Sequence, residues 1–267
     1  MPSPTRTPAA PVHAPHAPLR SYYGQDQQRC AWVVDLFDRT ALHYERIVGL
    51  TAMGSGSWYR RRALSSAGLQ SGMQVIDVGT GTGLVAREAA RLVGPRGCVL
   101  GIDPSAAMLA NARAVAGVRL ALGRAESIPA PDGSADFLCL GYALRHISDL
   151  SVAFREFERV LRPGGRLCLL EITRPEGRWR RALLRTYMRT LVPWAARMLT
   201  RERDTPLLMR YYWDTIENCV APQAILAALE AAGFIEVTRR VELGIFSQYC
   251  ARRPQQGAGD GPGGAPI

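Results

Sequence analysis

One stretch of sequence decides the fold, Val75-Ile76-Asp77-Val78-Gly79-Thr80-Gly81-Thr82-Gly83. A short apolar run reaches an acidic residue and then breaks into three alternating glycines, and the helical pattern of residues 84–90 follows at once. About twenty residues later, a second apolar run over residues 99–102 ends in Asp103. The order strand, glycine turn, helix, strand, acid is the outline of a βαβ unit that binds a nucleoside.

The glycine spacing and the nearby acid narrow the kind of nucleoside. A dinucleotide fingerprint G-x-G-x-x-G/A counted from Gly79 ends on Leu84, so it is absent. A phosphate-binding P-loop needs Gly-Lys-Ser/Thr, and the chain contains no lysine. A carboxylate at Asp77 would repel a pyrophosphate but attract a cation. S-adenosylmethionine satisfies both conditions, because it is an adenosine without phosphate that carries an ammonium and a sulfonium.

The residues expected to hold this cofactor follow from where the strands end. Ligands of open α/β sheets bind beyond the carboxyl ends of the strands, so several loops meet at one pocket. The glycines let the backbone approach the ligand, and Asp103 is placed to accept hydrogen bonds from the ribose hydroxyls. Glu126 either helps to contact the adenine or caps the turn to Ile128-Pro129. The predicted cofactor-binding residues are Asp77, Gly79, Thr80, Gly81, Thr82, Gly83, Asp103, Pro104, Arg124, Ala125, Glu126, Gly141 and Tyr142.

Composition favours a soluble enzyme. The chain has 267 residues, of which 47% are hydrophobic, and this suits one α/β domain with added helices. It has no apolar run of about eighteen residues and no secretory signal pattern, so we expect a cytoplasmic protein. The six cysteines form no C-x-x-C pair and are expected to be small apolar residues rather than disulfides or metal ligands.

The net charge of +10 comes from arginine alone. Nucleic-acid binding is one interpretation, and a surface that uses arginine for every cation is another. The arginines concentrate in residues 174–210, so an anionic partner is expected to meet that segment.

Alternating strand and helix patterns predict a Rossmann-like α/β fold, with a mostly parallel seven-stranded sheet and helices on both faces. The Pro/Ala-rich residues 1–20 and the Gly/Pro-rich residues 253–267 are expected to be disordered, which leaves one domain over residues 21–252. Residues 27–69 are predicted to be helical with a glycine break at 54–56, and residues 178–217 to be a helical insertion. The expected strands are 74–78, 97–102, 118–122, 135–141, 165–172 and the antiparallel pair 234–241 and 244–252. The expected helices among them are 84–93, 104–115, 149–161 and 222–232.

Several blocks of sequence point to one family. They cover residues 37–45, 77–83, 125–129, 143–149, 160–166, 170–175, 212–216 and 232–234. In this order they resemble the ubiquinone/menaquinone biosynthesis C-methyltransferase family, within the class I methyltransferases. The resemblance extends over about residues 30–252, and the blocks at 144–149 and 170–175 are more specific than the glycine loop.

This resemblance implies methyl transfer from S-adenosylmethionine to an aromatic quinol or phenol. A ring carbon becomes nucleophilic when a hydroxyl ortho or para to it is ionised, so a base or a cation near that hydroxyl contributes. Arg145 matches an arginine of the family's proposed deprotonation network, and Tyr44 matches a tyrosine near substrate and cofactor. His146 is a candidate base because its ordinary pKa lies near neutrality. The alternatives are a salt bridge from Arg145 to Asp149 or Glu171, a turn role for His146, and simple packing of Tyr44.

Four departures from the family pattern concern the pocket. His146 stands where the family usually has asparagine, and Gly141 where it has a serine that contacts the cofactor. Arg124 replaces a small polar residue, and Glu45 replaces an aspartate. Cofactor binding is expected to survive these changes, whereas they leave the acceptor open. A methyltransferase of secondary metabolism, acting on O, N or C of a small aromatic or polyketide, is the alternative. An RNA or protein methyltransferase and a non-catalytic binding protein rank lower.

The helical insertion bears on the acceptor. Its amphipathic pattern combines the apolar residues Trp179, Leu183, Leu184, Tyr187, Met188, Leu191 and Val192 with Arg178, Arg181, Arg185 and Arg189. Such a helix is a lid over an apolar acceptor, a contact to an anionic membrane on its inner face, or a helix packed on the sheet or in a homodimer. A polyprenylated quinol precursor would suit both the apolar and the basic side.

Overall fold

A seven-stranded sheet organises the chain in the computed structural model, which describes residues 14–25, 28–51, 56–200 and 204–255. The strands are β1 (Gln74–Val78), β2 (Cys98–Asp103), β3 (Val118–Leu122), β4 (Ala135–Gly141), β5 (Leu161–Ile172), β6 (Ile235–Glu242) and β7 (Phe246–Arg252). Their order across the sheet is β3-β2-β1-β4-β5-β7-β6. The pairs among β1 to β5 are parallel, and β7 is antiparallel to both β5 and β6. The predicted fold class and the antiparallel final pair are confirmed.

Helices connect the strands and cover both faces of the sheet. They are α1 (Arg29–Thr40), α2 (Tyr44–Thr51), α3 (Gly56–Ser66), α4 (Leu84–Val93), α5 (Ala106–Ala110), α6 (Leu150–Val160), α7 (Arg178–Thr186), α8 (Val192–Thr200), α9 (Thr205–Asn218) and α10 (Pro222–Ala231). A π-helical stretch, Tyr187–Leu191, joins α7 to α8. Part of the predicted glycine break, residues 54 and 55, lies outside the described residues.

Buried side chains form three clusters. One fills the sheet face under α6 and α10, and includes Phe154, Phe157 and Leu229. A second packs α3 and α4 on the opposite face. The third lies between α1, α2, the π-helical stretch, α8 and α9, and includes Leu36 and Trp213. Because strand β1 is covered on both faces, its residues 75–78 are all buried, as expected for a central parallel strand.

Two element bounds differ from the sequence prediction. Helix α5 has five residues rather than extending over 104–115. It ends at Ala110, and the side-chain amide of the next residue, Asn111, donates to the Ala107 carbonyl. Asparagine readily leaves a helix through such local bonds. Strand β5 begins at Leu161 rather than 165, because Leu161 pairs with Ala135 ahead of a register shift in β4.

Part of the tail that we expected to be disordered is packed against the domain. His16 is buried, its ring nitrogen Nε2 lies 3.0 Å from Arg29 Nη2, and it forms a β-bridge with Cys219. The Tyr22 hydroxyl donates to Asp214 at 2.5 Å, and Tyr23 is buried. Residues 14–20 are therefore corrected from tail to domain, because they have partners on α1 and after α9. At the other end, Arg253 N donates to Gly165 O, so the domain continues at least to that residue.

Candidate active site

The glycine loop after β1 adopts a backbone conformation that only glycine enters easily. Gly79, Gly81 and Gly83 have φ angles of 63°, 54° and 82°, all in the left-handed region. A Cβ built on Gly79 would lie 2.7 Å from the Ala143 Cβ. The backbone of Gly79 is therefore packed against Ala143, and a side chain at this position would displace the loop.

Asp103 is held rigidly at the edge of this loop. Gly81 N donates to Asp103 Oδ2 at 2.8 Å, and Ser105 N donates to Oδ1 at 2.9 Å. Burial raises the pKa of Asp103 to about 6, although the two N–H donors work in the opposite direction. Each carboxylate oxygen keeps acceptor capacity toward the cavity, which suits a pair of ribose hydroxyls.

Asp77, which we expected at the cofactor pocket, lies in the interior instead. Its side chain is fully buried, accepts from Thr80 Oγ1 at 2.6 Å and from Cys139 Sγ at 3.4 Å, and does not line the cavity. Burial raises the pKa of Asp77 to about 6. Asp77 therefore shapes the loop through Thr80 and acts on a cation only through its charge.

A cavity opens at the carboxyl ends of β1, β2 and β4. Its empty space is about 820 Å³, part of which is open to solvent. Predicted cofactor residues on its wall are Gly79, Gly81, Asp103, Pro104, Arg124, Ala125, Glu126, Gly141 and Tyr142. The predicted residues Asp77, Thr80, Thr82 and Gly83 do not line it.

Glu126 caps a turn, though not the one we considered. Its Oε1 accepts from Ser148 N at 2.7 Å and from Asp149 N at 3.4 Å, and the amide of Ile128 is bound by Glu156 instead. Glu126 thus ties the loop after β3 to the loop after β4. Its position on the cavity wall remains compatible with an adenine contact through the neighbouring backbone of Ala125.

Arg145 is a buried structural residue in this fold. Its Nε donates to Glu171 Oε1 at 2.8 Å and its Nη1 to Thr215 Oγ1 at 2.6 Å. The side chain is 2% exposed and does not line the cavity. Contact of Arg145 with a developing phenolate stays a prediction, whereas the alternative named from the sequence, a salt bridge to Glu171, is present. The reason is topological, since β5 places Glu171 beside the end of β4.

His146 does line the cavity, on the short 3₁₀ turn that follows β4. Its Nδ1 lies 3.2 Å from the Tyr211 hydroxyl, and its Nε2 is buried without a hydrogen-bond partner among the described residues. The ring stacks on Tyr211 and Tyr212 and meets the edge of Phe37. Burial, with the positive charges of Arg145 and Arg29, holds the pKa of His146 well below its usual range. The imidazole is therefore neutral near pH 7, and the same burial and charges oppose its protonation, so a proton on Nε2 needs an anion beside it.

Tyr44 lies over the glycine loop. A Cβ built on Gly81 would be 4.0 Å from Tyr44 Cε1, and the Tyr44 hydroxyl accepts from that of Tyr212 at 3.2 Å. Burial raises the pKa of both tyrosines. Both rings line the cavity, and Tyr212 also stacks on His146.

Sequence reasoning missed the contribution of α1. Four of its apolar side chains line the cavity, namely Cys30, Val33, Val34 and Phe37. Their spacing i, i+3, i+4, i+7 is the signal of one helix face and was present in the sequence. Asp38 fixes this helix, because its Oδ1 accepts from Ser105 Oγ at 2.5 Å and from Ala107 N at 3.3 Å. Helix α1 therefore covers the site, whereas no residue of 178–192 lines the cavity, which corrects the lid interpretation for that segment.

Other site types find no support in the described part of the chain. No group of three or more His, Cys, Asp or Glu side chains is arranged to hold a metal ion there. The six cysteines are free, and two of them, Cys139 and Cys168, are buried. Among the same residues, no helix is both long and apolar enough to cross a bilayer.

The sheet order, the glycine loop and the paired donors to Asp103 define a class I S-adenosylmethionine-dependent methyltransferase. The chain matches the ubiE/COQ5 methyltransferase family over residues 23–251, and it belongs to that family. It is 30% identical over 220 residues to the ubiquinone/menaquinone biosynthesis C-methyltransferase UbiE of Pseudomonas aeruginosa (strain LESB58), an alignment that covers 80% of this chain and 85% of that protein. The same enzyme of Pseudomonas entomophila (strain L48) is 28% identical over 85% of this chain and 92% of its own length.

Solved structures share the fold at lower identity. A methyltransferase from Thermotoga maritima, described as a possible histamine N-methyltransferase, has a TM-score of 0.58 at 20% identity, covering 82% of this chain and 99% of its own. A SAM-dependent methyltransferase from Aquifex aeolicus has a TM-score of 0.54 at 24% identity, over 72% of this chain and 88% of its own. The family and the fold make the protein an S-adenosylmethionine-dependent methyltransferase, as predicted.

Proposed function

We propose that this enzyme methylates a ring carbon of a quinol or phenol that carries an apolar, lipid-like tail. The observation that carries the proposal is His146, a buried neutral imidazole whose Nε2 has no partner among the described residues and whose ring lines the cavity. The curated relatives support the acceptor class, since their name describes C-methylation in ubiquinone and menaquinone biosynthesis. We place the reaction in the cytoplasm, at the membrane face where such an acceptor resides.

The cavity lining combines two kinds of surface. The glycine loop and Asp103 are polar, while Val33, Val34 and Phe37 of α1 form an apolar side. An aromatic acceptor would pack on this apolar side, next to Tyr212, with its hydroxyl toward His146. Burial between such side chains excludes water and strengthens the electrostatic interactions of the reacting groups.

His146 is assigned the role of base. S-adenosylmethionine, when bound, supplies a methyl group already activated by the sulfonium, so the residues mainly align and ionise the acceptor. His146 Nε2 takes the hydroxyl proton, and the imidazolium then faces the phenolate as a counterion. The acceptor carbon gains the methyl group and afterwards loses its hydrogen as a proton, which restores the aromatic ring. Tyr211 holds His146 Nδ1 and thereby orients the ring.

Arg145 is assigned a positioning role. Its backbone carbonyl accepts from Arg29 Nη2 at 2.8 Å, and its side chain joins Glu171 on β5 to Thr215 on α9. These bonds fix the turn that presents His146, so Arg145 acts on the reaction through its neighbour.

The test is methyl transfer from isotopically labelled cofactor into a panel of acceptors. The panel contains short-chain hydroquinones, phenols, catechols and aromatic amines, and mass spectrometry with fragmentation locates the label. Carbon-methylated hydroquinone is the expected product. Methylation confined to oxygen or nitrogen would overturn the proposal and favour the second candidate, a methyltransferase of secondary metabolism. One observation favours that candidate: His146 stands where the family usually has asparagine, so the acceptor side of the pocket differs from the family pattern.

A further inference from the structure

The outer side of the helical insertion exposes large apolar side chains that neither the core nor the cavity uses. Trp179 is 89% exposed, Trp194 is 65% exposed and Met198 is 70% exposed, with Leu183 and Leu191 also exposed between them. A shallow groove lined by Leu183, Thr186, Tyr187, Thr190, Leu191 and Trp194 runs along the same side. Scattered single apolar residues are ordinary on a surface, but a continuous stripe of this kind marks a contact.

The π-helical stretch explains how one amphipathic segment has two apolar sides. Met188 and Val192 point inward and are buried in the cluster with α1 and α9, so the packing interpretation holds for this stripe. Trp179, Leu183 and Leu191 face outward. The spacing in the sequence predicts one apolar face for all of these residues, because that prediction assumes an unbroken α-helix. The wider turn of a π-helix shifts the register between α7 and α8.

Two neighbouring segments extend this surface. Leu243, in the turn between β6 and β7, is 86% exposed. The next residue, Gly244, packs near α7, since a Cβ built on it would lie 3.5 Å from Arg180 Nη1. On the other side of the turn, Glu242 pairs with Arg62 at 3.8 Å, and the Arg62 guanidinium lies 5.5 Å from the centre of the exposed Trp58 ring. We call this combined area the docking surface, and it consists of Trp58, Trp179, Leu183, Leu191, Trp194, Met198 and Leu243.

Exposed arginines outnumber exposed carboxylates among the described residues around the docking surface. Arg178, Arg180 and Arg185 are exposed and have no ion pair with any carboxylate that the structure describes. The other arginines of the segment are engaged, Arg181 with Glu217 and Arg189 with Asp214, both on α9. Some arginines of the basic face expected from sequence therefore bind the segment to α9, and the others face solvent.

We propose that this docking surface rests on an anionic lipid bilayer. Tryptophan is favoured at the boundary between headgroups and acyl chains, and arginine pairs with lipid phosphates, so the combination fits one occupant. A second copy of the chain fits less well, because a two-fold interface would bring the same exposed arginines face to face. The inference extends the proposed function by naming the surface that brings the enzyme to a lipid-borne acceptor, and it is tested separately from catalysis.

The route from the docking surface to the cavity is short. Trp58 belongs to α3, as does Arg60, whose guanidinium lies 5.8 Å from the ring centre of the cavity residue Tyr142. Tyr59, between them in sequence, packs on Phe246 at the start of β7, next to the turn of Leu243. An enzyme seated on this surface would therefore hold one wall of its cavity close to the lipid.

Vesicle flotation tests the proposal with the full-length protein. We expect flotation with phosphatidylcholine vesicles that contain about 30% phosphatidylglycerol, and little with phosphatidylcholine alone. Raising the salt from about 0.05 to about 0.5 M should weaken it, because screening shortens the reach of the arginines. The charge-reversal variant Arg178→Glu/Arg180→Glu/Arg185→Glu and the variant Trp179→Ser/Trp194→Ser should each lower partitioning about tenfold or more.

A matched control reverses three exposed arginines elsewhere, Arg96→Glu/Arg119→Glu/Arg155→Glu, and should float like the wild type. The proposal would be overturned if both docking-surface variants floated as well as the wild type. It would also be overturned if the wild type did not float at low salt. Sedimentation velocity that shows a dimer dissociated by Trp179→Ser/Trp194→Ser would assign the surface to a second copy instead. Methylation of a short-chain soluble hydroquinone should persist in these variants. If the wild type did not methylate the soluble hydroquinone, that result would count against the proposed function, and the flotation result would still stand.

Discussion

Arg145 and Glu171 form an ion pair inside the protein, with Nε and Oε1 2.8 Å apart and both side chains almost completely buried. The pair joins the end of β4 to β5, and it explains why the arginine of the sequence block 143–149 does not face the cavity. Thr215 and the carbonyl of Tyr212 accept further bonds from the guanidinium, so α9 is tied to the same point. The residue beside it, His146, is the one that lines the cavity.

Replacing Arg145 by methionine should destabilise the fold rather than impair chemistry selectively. Removing one partner of a buried ion pair leaves an uncompensated charge, which typically costs about 3–5 kcal/mol. Chemical denaturation should show this loss, and the double variant Arg145→Met/Glu171→Met should recover a large part of it. A single variant with wild-type stability and no turnover would instead return Arg145 to the list of catalytic residues.

His146→Ala should lower kcat by about 10²- to 10⁴-fold, the usual contribution of a positioned base. Cofactor affinity, measured by calorimetry, should stay within about twofold, because His146 lies on the acceptor side. Since the pKa of His146 is held well below 6.5, the wild type should show no inflection from this residue near that pH. The variant His146→Asn carries the family's usual residue and separates a proton acceptor from a hydrogen-bond partner. Near-normal turnover of both variants would remove the base from the mechanism.

Asp103→Ala should weaken S-adenosylmethionine binding by about 30-fold or more, since hydrogen bonds to a charged group contribute about 1.5–3 kcal/mol each. The wild-type affinity should also fall with pH. The pKa of Asp103 is raised to about 6, so the carboxylate is ionised near pH 7.5 and becomes protonated as the pH drops through 6. Calorimetry at about pH 7.5 and 5 would measure this. Asp103→Asn should reduce the pH dependence of cofactor affinity. A part of that dependence should remain, because Asp77 also has a pKa of about 6. An unchanged affinity in Asp103→Ala would refute the ribose contact.

Gly79→Ala should impair cofactor binding more than stability alone explains. The new Cβ would meet Ala143 at 2.7 Å from a left-handed backbone, so the loop must move. Gly133→Ala is the matched control, because Gly133 has a φ of 56° and nothing within 4 Å of its Cβ position. Both variants carry a backbone cost of about 1–2 kcal/mol, measurable by denaturation, but only Gly79→Ala should lose affinity for the cofactor. Equal cofactor affinity in the two variants would contradict the close approach of ligand to loop.

His16 should make the fold sensitive to acid. Burial, together with the charge of Arg29, lowers the pKa of His16 to about 4, whereas an unfolded histidine titrates near 6.5. Between these values the unfolded state binds more protons, so stability from this residue is lost as the pH falls from about 6.5 toward 4. Between about pH 6.5 and 4.5, the free energy of unfolding of His16→Asn should fall by about 2 kcal/mol less than that of the wild type. The comparison is made between the two proteins, because Asp77 and Asp103 shift stability in the opposite direction. Parallel pH curves would show that His16 is not buried as a neutral ring.

Sequence alone was enough for the features that depend on local pattern. The glycines of residues 79–83 require a left-handed backbone, and the alternation of strands and helices leads to a parallel sheet with few possible connections. The absence of lysine and of a dinucleotide fingerprint directed the choice of cofactor, which the family confirms. These inferences hold because each rests on residues that are neighbours in the chain.

The tertiary structure decided what depends on partners far apart in sequence. Arg145 is paired in the interior because β5 brings Glu171, 26 residues further along the chain, beside it. Pro15 and His16 pack on the domain because Val220, Arg29 and Cys219 bind them. A π-helical stretch, invisible to a 3.6-residue period, turned part of one apolar face outward. Burial and long-range pairing fix a side chain's role, and residue type alone does not specify either of them.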